Sequence, residues 1–298
     1  MKYRTAAGFR AALEERLRQR AERTPTSLSR LRKQVVFERV LARLIQAAPD
    51  RWILKGALAL DLRLPARARA TKDMDLGRWD GETQATADLL AATALDLGDF
   101  FALRSERARD LVDVPEAAAV RYRVRAELAG RLFEDVIVDV GFSPGPLPRV
   151  ETVHTFDLLD FAEIVGVDVP VIPLARHLAE KVHAYTRMYG DGRTSTRVKD
   201  LVDMVVVALS CSLEGAEVRE ALETTFTERS SHSLPERLPR PPGEWGRPYS
   251  ALAKQLDLPA ALDEGYGVAA RLVDPVLRAR ELGRWDPDRT QWMGTVPT

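Results

Sequence analysis

The stretch TKDMDLG sets two aspartates, Asp73 and Asp75, two positions apart. A lysine–glycine pair, Lys55-Gly56, lies about twenty residues upstream, closing the short apolar run WILK. Residues two apart on a β-strand point to the same face, so these carboxylates repel unless a positive charge sits near them. A third aspartate, Asp139, stands between Val138 and Val140 in FEDVIVDVGF, where a charge is costly unless paired or metal-bound. It shares its face with Ile137, while Val136, Val138 and Val140 turn the other way. Three carboxylates converging from neighbouring strands would form a hard-oxygen site suited to Mg²⁺, which keeps waters and substrate phosphates as its other ligands. Gly56 falls where a strand turns into a helix. Backbone N–H groups at such a turn attract an anion, and the missing side chain lets a phosphate chain approach. Lys55, Gly56 and Ala57 are therefore expected beside phosphates. The plain alternatives are a surface turn for Asp73 and Asp75 and an ordinary strand-to-helix turn for Gly56.

The second half of the chain supplies further candidates. In LAEKVHAY, Lys181 lies on a helix whose apolar face includes Leu174, Leu178, Val182 and Tyr185. That position fits either a lysine snorkelling from a core edge or a cation held for chemistry. In TRVKDLVDM, Asp200 and Asp203 share a helix face, and Lys199 and Asp203 have the spacing of an i,i+4 surface pair. His177 and His183 lack metal-ligand spacing to one another and read as packing or surface residues. The basic stretch GDGRTSTR (190–197) is either a connector or a loop touching nucleotide or RNA.

These residues require elements to carry them. Helices are expected over residues 7–23 and 27–47, the second opening on Thr/Ser and repeating Leu31, Val35, Val36, Val40, Leu41 and Leu44 at helical spacing. WILK and MDLGRW read as strands, and Gly56 to Leu62 and TQATADLLAATALDL as helices. Three strand-like runs follow, FFALRSE, AAVRYRVRAEL and FEDVIVDVGF. SPGPLPRV and VDVPVIP punctuate the chain, and beyond Pro173 the pattern turns helical, apart from a loop at RLPRPPGEWGRPYS. The expected fold is α/β (α+β), with a mixed-sheet lobe over residues 1–170 and a mostly helical lobe over 171–298.

Composition narrows the class. With 298 residues, 45% hydrophobic and 30% charged, the chain can bury a sizeable core. Lys+Arg and Asp+Glu are both 44, so overall charge is silent about a nucleic-acid partner, but its distribution is not. Residues 1–40 hold eleven Lys/Arg against four Glu, enough for a phosphate-facing surface or for a solvated helix face. A single cysteine, Cys211, rules out an intramolecular disulfide and, following MVVVAL, reads as a buried small hydrophobe. No apolar run reaches membrane-spanning length and the N-terminus has no signal-peptide core, so a cytoplasmic location is expected.

The order strand–Gly–helix, Thr-Lys-Asp-x-Asp, then an aspartate on a later strand resembles the DNA polymerase β-like nucleotidyltransferase superfamily. With Lys181 in LAEKVHAY and Lys199, Asp200 and Asp203 in TRVKDLVDM, it resembles more narrowly the AbiEii/AbiGii family of toxin–antitoxin systems, including the Men-type tRNA-modifying toxins. The likeness runs from about residue 28 to about residue 210. It implies a nucleotidyltransferase-fold lobe and Mg²⁺-dependent transfer of a nucleotide from an NTP to RNA, a tRNA 3′ end, blocking growth until a cognate antitoxin protein encoded nearby opposes it. It implies Asp73, Asp75 and Asp139 as metal ligands. Lys55, Gly56, Ala57, Lys181, Lys199 and Asp200 would contact nucleotide, and Asp203 would fix Lys181 or the acceptor. Arg63, Arg67, Arg69 and Lys72 would join the N-terminal helices in facing RNA. One departure is Gly56-Ala57 where the family has Gly-Gly or Gly-Ser, which removes a hydroxyl contact to phosphate. Two other classes use the same residues: a transferase acting on a small-molecule acceptor, and a nucleotide-binding regulatory module without turnover.

Overall fold

The computed structural model describes residues 1–65, 67–108, 119–143, 145, 149–187, 197–278 and 282–294. Most of the basic stretch 190–197 lies outside the described residues; Arg197 is inside them. The chain forms two compact units, Met1–Arg63 with Ala70–Ile172, and Leu64–Arg69 with Pro173–Thr298.

The first unit is a seven-stranded mixed sheet backed by helices. In chain order it comprises α1 (Ala6–Arg23), α2 (Leu28–Ala47), β1 (Ile53–Lys55), α3 (Gly56–Arg63), β2 (Asp73–Arg78), α4 (Glu82–Ala94), β3 (Phe101–Arg107), β4 (Ala119–Leu128), β5 (Arg131–Phe142), β6 (Glu151–His154) and β7 (Asp168–Val171). The strand order is β3-β4-β5-β2-β1-β7-β6, with β2 parallel to β5, β1 parallel to β7 and the other neighbours antiparallel. Alternation decides which face is buried. Met74, Leu76, Val136, Val138, Val140, Tyr122 and Val124 turn into the core, which α1, α2 and α4 line with Phe9, Leu13, Val36, Leu44 and Leu89. Asp73, Asp75 and Asp139 therefore fall on the opposite face. Ser27 begins α2 by accepting the Arg30 N–H, as the Thr/Ser start predicts. The strands β6 and β7 were not expected. In VDVPVIP the alternating Val169 and Val171 are buried, and Pro170 stands opposite Thr152 of the edge strand β6.

Helix α2 also buries charge. Glu38, Arg39 and Arg43 are 0%, 3% and 0% exposed, and Arg43 donates to both oxygens of buried Asp99 at 2.9 and 2.8 Å. Burial pushes the Glu38 carboxyl up to about 7 against the opposing pull of Arg39, with Asp160 and Asp157 raising it further. His154, on β6, lies within its electrostatic reach. Between about pH 4.5 and 7 the folded state thus holds a proton that the unfolded state has released, so stability falls as pH rises through that window. Glu38→Gln should flatten this slope and raise stability at neutral pH by up to about 3 kcal/mol. Urea melts at pH 5 and pH 7.5 would show it; equal pH dependence in both proteins contradicts it.

The second unit is α5 (Leu174–Thr186), α6 (Val198–Ser210), β8 (Leu213–Glu214), α7 (Gly215–Arg229), α8 (Gly246–Gln255), α9 (Leu262–Arg278), β9 (Arg284–Asp286) and β10 (Gln291–Trp292). Its centre is α6, buried along Asp200–Ala208 and flanked by α5, α8 and α9. Cys211 is buried at the end of α6, as expected. The small sheet β10-β9-β8 closes over α6 through Trp285, whose indole N–H donates to the Ala208 carbonyl at 2.8 Å. The expected loop around GEWGRPYS instead turns into α8 at Gly246. Among the described residues no helix is long and apolar enough to cross a membrane.

Candidate active site

Register places the first set of candidates in one row across four strands. Lys55 on β1 pairs with Asp75 on β2, Asp75 pairs with Asp139 on β5, and Asp139 pairs with Arg121 on β4. Directly paired residues project to the same face, so the row alternates as cation, carboxylate, carboxylate, cation. Asp73 joins the same face two residues before Asp75, in register with Ile137. The hydroxyl of Thr71 accepts the Asp73 N–H at 3.2 Å and donates to the Asp73 carbonyl at 2.9 Å, tying down the start of β2. Beyond Asp75 and Asp139 the next paired positions are Gly77 and Gly141, and the Lys55 ammonium lies over the latter, 2.8 Å from where a Gly141 Cβ would stand.

Gly56 permits a close approach by Asp75. Its φ is +66°, and a Cβ there would fall 1.9 Å from Oδ2 of Asp75. The absent side chain makes room for the Asp75 carboxylate itself, seated against the start of α3. Ala57 is buried in the core, 4% exposed. Gly56→Ala should therefore cost about 1–2 kcal/mol in backbone strain alone and displace Asp75. Melting and nucleotide binding should fall together; a variant that binds nucleotide as wild type does would contradict the packing described.

Asp139 has a partner of its own. Both of its oxygens are engaged by Arg121, Nε to Oδ1 at 2.5 Å and Nη2 to Oδ2 at 2.7 Å. It is a carboxylate already paired, and among the described residues no three Asp, Glu, His or Cys side chains are disposed to hold a metal ion together. Asp73 and Asp75 still fit Mg²⁺, which commonly takes one or two protein carboxylates and completes its shell with waters and phosphate oxygens. Arg121 was missed from sequence because its alternation with Val120 and Val124 marks it only as outward-facing.

The second unit gathers the other candidates in a buried cluster. The Lys181 ammonium lies 3.1 Å from Oδ1 of Asp200 and 2.8 Å from Oδ2 of Asp203. Arg69 grips Asp203 from the other side, Nε to Oδ1 at 2.9 Å and Nη2 to Oδ2 at 3.1 Å. Asp203 is 1% exposed, so the expected surface pair with Lys199 does not form; Lys199 itself is exposed. Burial works against the Lys181 ammonium, but Asp203 and then Asp200 outweigh it and hold its pKa above the ordinary lysine value. Burial likewise opposes the Asp203 carboxylate, and Lys181 and Arg69 overcome it, leaving its pKa below the usual range. Lys181 is thus a fixed cation at neutral pH and not a proton acceptor. His177 and His183 are buried, and His183 packs edge-on to Phe226 with its Nε2 2.9 Å from the Ser231 hydroxyl.

Much of the expected RNA-facing charge is engaged internally. Arg10 donates to the carbonyls of Leu128, Arg131 and Leu132, Arg30 pairs with Asp61, Arg32 with Glu14, and Lys33 with Glu134. Arg63 binds Glu151 and the Ile172 carbonyl, and Arg69 binds Asp203. Arg20, Arg23 and Lys72 remain exposed.

A family model for the nucleotidyl transferase AbiEii toxin of type IV toxin–antitoxin systems matches residues 39–270. No functionally curated protein matches the chain. Among solved structures, MenT4, a nucleotidyltransferase toxin from Mycobacterium tuberculosis H37Rv, is similar at 20% identity over 91% of this chain and 99% of that one, with a TM-score of 0.54. A putative nucleotidyltransferase from H. pylori matches at 17% identity over 83% and 97%, TM-score 0.43. JHP933 from Helicobacter pylori matches at 15% over 82% and 93%, TM-score 0.44. The MenT4 likeness shows a shared fold. The family match spans most of the chain and contains Asp73, Asp75, Asp139, Lys181 and Asp203, so this protein belongs to the AbiEii nucleotidyltransferase toxin family.

Proposed function

We propose that the protein transfers a nucleotide from an NTP to the hydroxyl of an RNA, a tRNA 3′ end, and that this transfer arrests growth until a cognate antitoxin protein opposes it. The observation that carries the reading is the carboxylate face, where Asp73 and Asp75 stand on one strand face beside Asp139 with Asp75 seated against Gly56. Asp73 and Asp75 would hold Mg²⁺, which supplies charge neutralisation for a triphosphate and a more acidic acceptor hydroxyl. The acceptor oxygen forms a bond to the α-phosphorus as the α–β bond breaks and pyrophosphate leaves. Lys55, beside Asp75, and the backbone N–H groups at the start of α3 bear on the phosphates. Lys181, held by Asp200 and Asp203, is a permanent cation of the kind that offsets charge on a phosphate.

RNA as acceptor is what the resemblance drawn from the sequence implies, and the exposed cations that internal pairing leaves over support it. Arg20→Glu with Arg23→Glu should weaken tRNA binding and reduce its salt slope by about 0.7–0.9 per lost phosphate contact. An unchanged slope would move the RNA surface elsewhere. The reading itself is tested by incubating the protein with Mg²⁺, each labelled NTP, and either total tRNA or a pool of small hydroxyl compounds. Label in tRNA supports it; label only in small compounds makes the protein a small-molecule transferase, and none in either points to a binding module.

A further inference from the structure

Resting on the nucleotidyltransferase reading, we propose that Arg121 is a phosphate-contacting residue seated by Asp139, and that the carboxylate face takes a single divalent ion on Asp73 and Asp75. Two-metal transfer sites set two ions about 3.5–4 Å apart, shared among carboxylates. Here the third carboxylate already has a partner, and that partner is a guanidinium, which stays charged at any accessible pH.

The pairing geometry leaves Arg121 with donors to give. Its side-on contact with Asp139 uses Nε–H and one Nη2–H. Both Nη1 protons and the outer Nη2 proton lie beyond the Asp139 contact, a fork suited to a phosphate. The side chain is 34% exposed, so its outer edge is reachable, and Asp73 and Asp75 both lie within electrostatic reach of it. Its neighbour on the same face, Arg123, shows what ordinary pairing on this strand looks like: looser contacts of 3.8 and 3.9 Å to Glu106 and Asp135.

Charge supports the same count of ions. Within the paired row and Asp73 beside it, three carboxylates (Asp73, Asp75 and Asp139) stand with two cations (Lys55 and Arg121). One divalent ion makes that face positive, as an incoming triphosphate requires. A second ion would have to take Asp139 from Arg121.

The test uses Mn²⁺ alone, followed by electron paramagnetic resonance, and inorganic tripolyphosphate with Mn²⁺, followed by calorimetry, on the intact chain. Wild type and Asp139→Asn should each bind one Mn²⁺ with similar affinity, while Asp73→Asn and Asp75→Asn bind none. Arg121→Gln should weaken tripolyphosphate binding roughly tenfold or more, and Arg121→Lys should recover part of that loss. Melting curves, and the double variant Arg121→Gln with Asp139→Asn, separate this from unfolding, because the double variant leaves no lone charge. Loss of Mn²⁺ in Asp139→Asn, or unchanged tripolyphosphate affinity in a folded Arg121→Gln, would overturn the inference and leave the transferase reading standing. A wild type that binds neither probe overturns both.

Discussion

Asp75→Asn is expected to lower nucleotidyl transfer by about 10²–10³-fold or more while leaving the apo protein within about 1 kcal/mol of wild type. Asp75 stands directly opposite Asp139 with Asp73 on the same face, while Lys55 is in register with Asp75 and Arg121 engages Asp139. Asparagine at position 75 keeps the shape that fits against Gly56. Asparagine retains an oxygen but not the charge that holds a hard cation. Asp73→Asn should behave likewise. Thermal melts with and without Mg²⁺ and NTP distinguish the roles: wild type should gain stability from the pair of ligands and the two variants should not. Variants that melt lower as apo proteins but still respond to ligand would make the aspartates structural.

Lys181→Ala is expected to cost stability as well as activity, by about 3–5 kcal/mol. Its ammonium is shared by Asp200 and Asp203, and Asp203 is 1% exposed, so truncation leaves buried Asp203 with Arg69 and buried Asp200 with the looser Arg197 contact at 3.7 Å. Lys181→Met with Asp200→Asn removes one charge of each sign and should recover much of the stability while activity stays lost. The pH dependence follows from both shifts. The depressed Asp203 pKa contributes stability above the unfolded carboxylate value, lost only as pH falls through the lower folded value. The raised Lys181 pKa contributes stability below the unfolded lysine value, lost only as pH rises through the higher folded value. The melting deficit of Lys181→Ala should therefore be flat from about pH 5 to pH 9. A deficit that fades at neutral pH, or no deficit at all, would mean that the cluster does not carry this charge.

The sequence was most informative where one period dominated. Alternation in FEDVIVDVGF and around Asp73 placed three aspartates on an outward face, and helical spacing placed α2, α5 and α6 within a few residues of their ends. It also set Asp200 and Asp203 on one face, which Lys181 occupies. What it could not supply was partner choice. Nothing local says that Arg121 closes on Asp139 or that Arg69 closes on Asp203, because those contacts are made across 18 and 134 residues of chain. The basic N-terminal segment shows the same limit: its cations can be counted, but no local pattern reveals that Arg10, Arg30, Arg32, Lys33 and Arg39 have internal partners. The strand β7 was passed over because Pro170 breaks the pattern locally, although pairing with β1 and β6 makes it a strand.

Catalysis by the face of Asp73 and Asp75 would direct attack to the α-phosphate of an NTP. This is tested most directly by following two labels, one on the α-phosphate and one on the γ-phosphate, in parallel reactions with Mg²⁺ and tRNA. Wild type is expected to carry the α-label into acid-insoluble RNA and to release the γ-label as pyrophosphate, and Asp75→Asn to do neither. Transfer of the γ-label to the acceptor, or α-label incorporation that survives in Asp75→Asn, would contradict it.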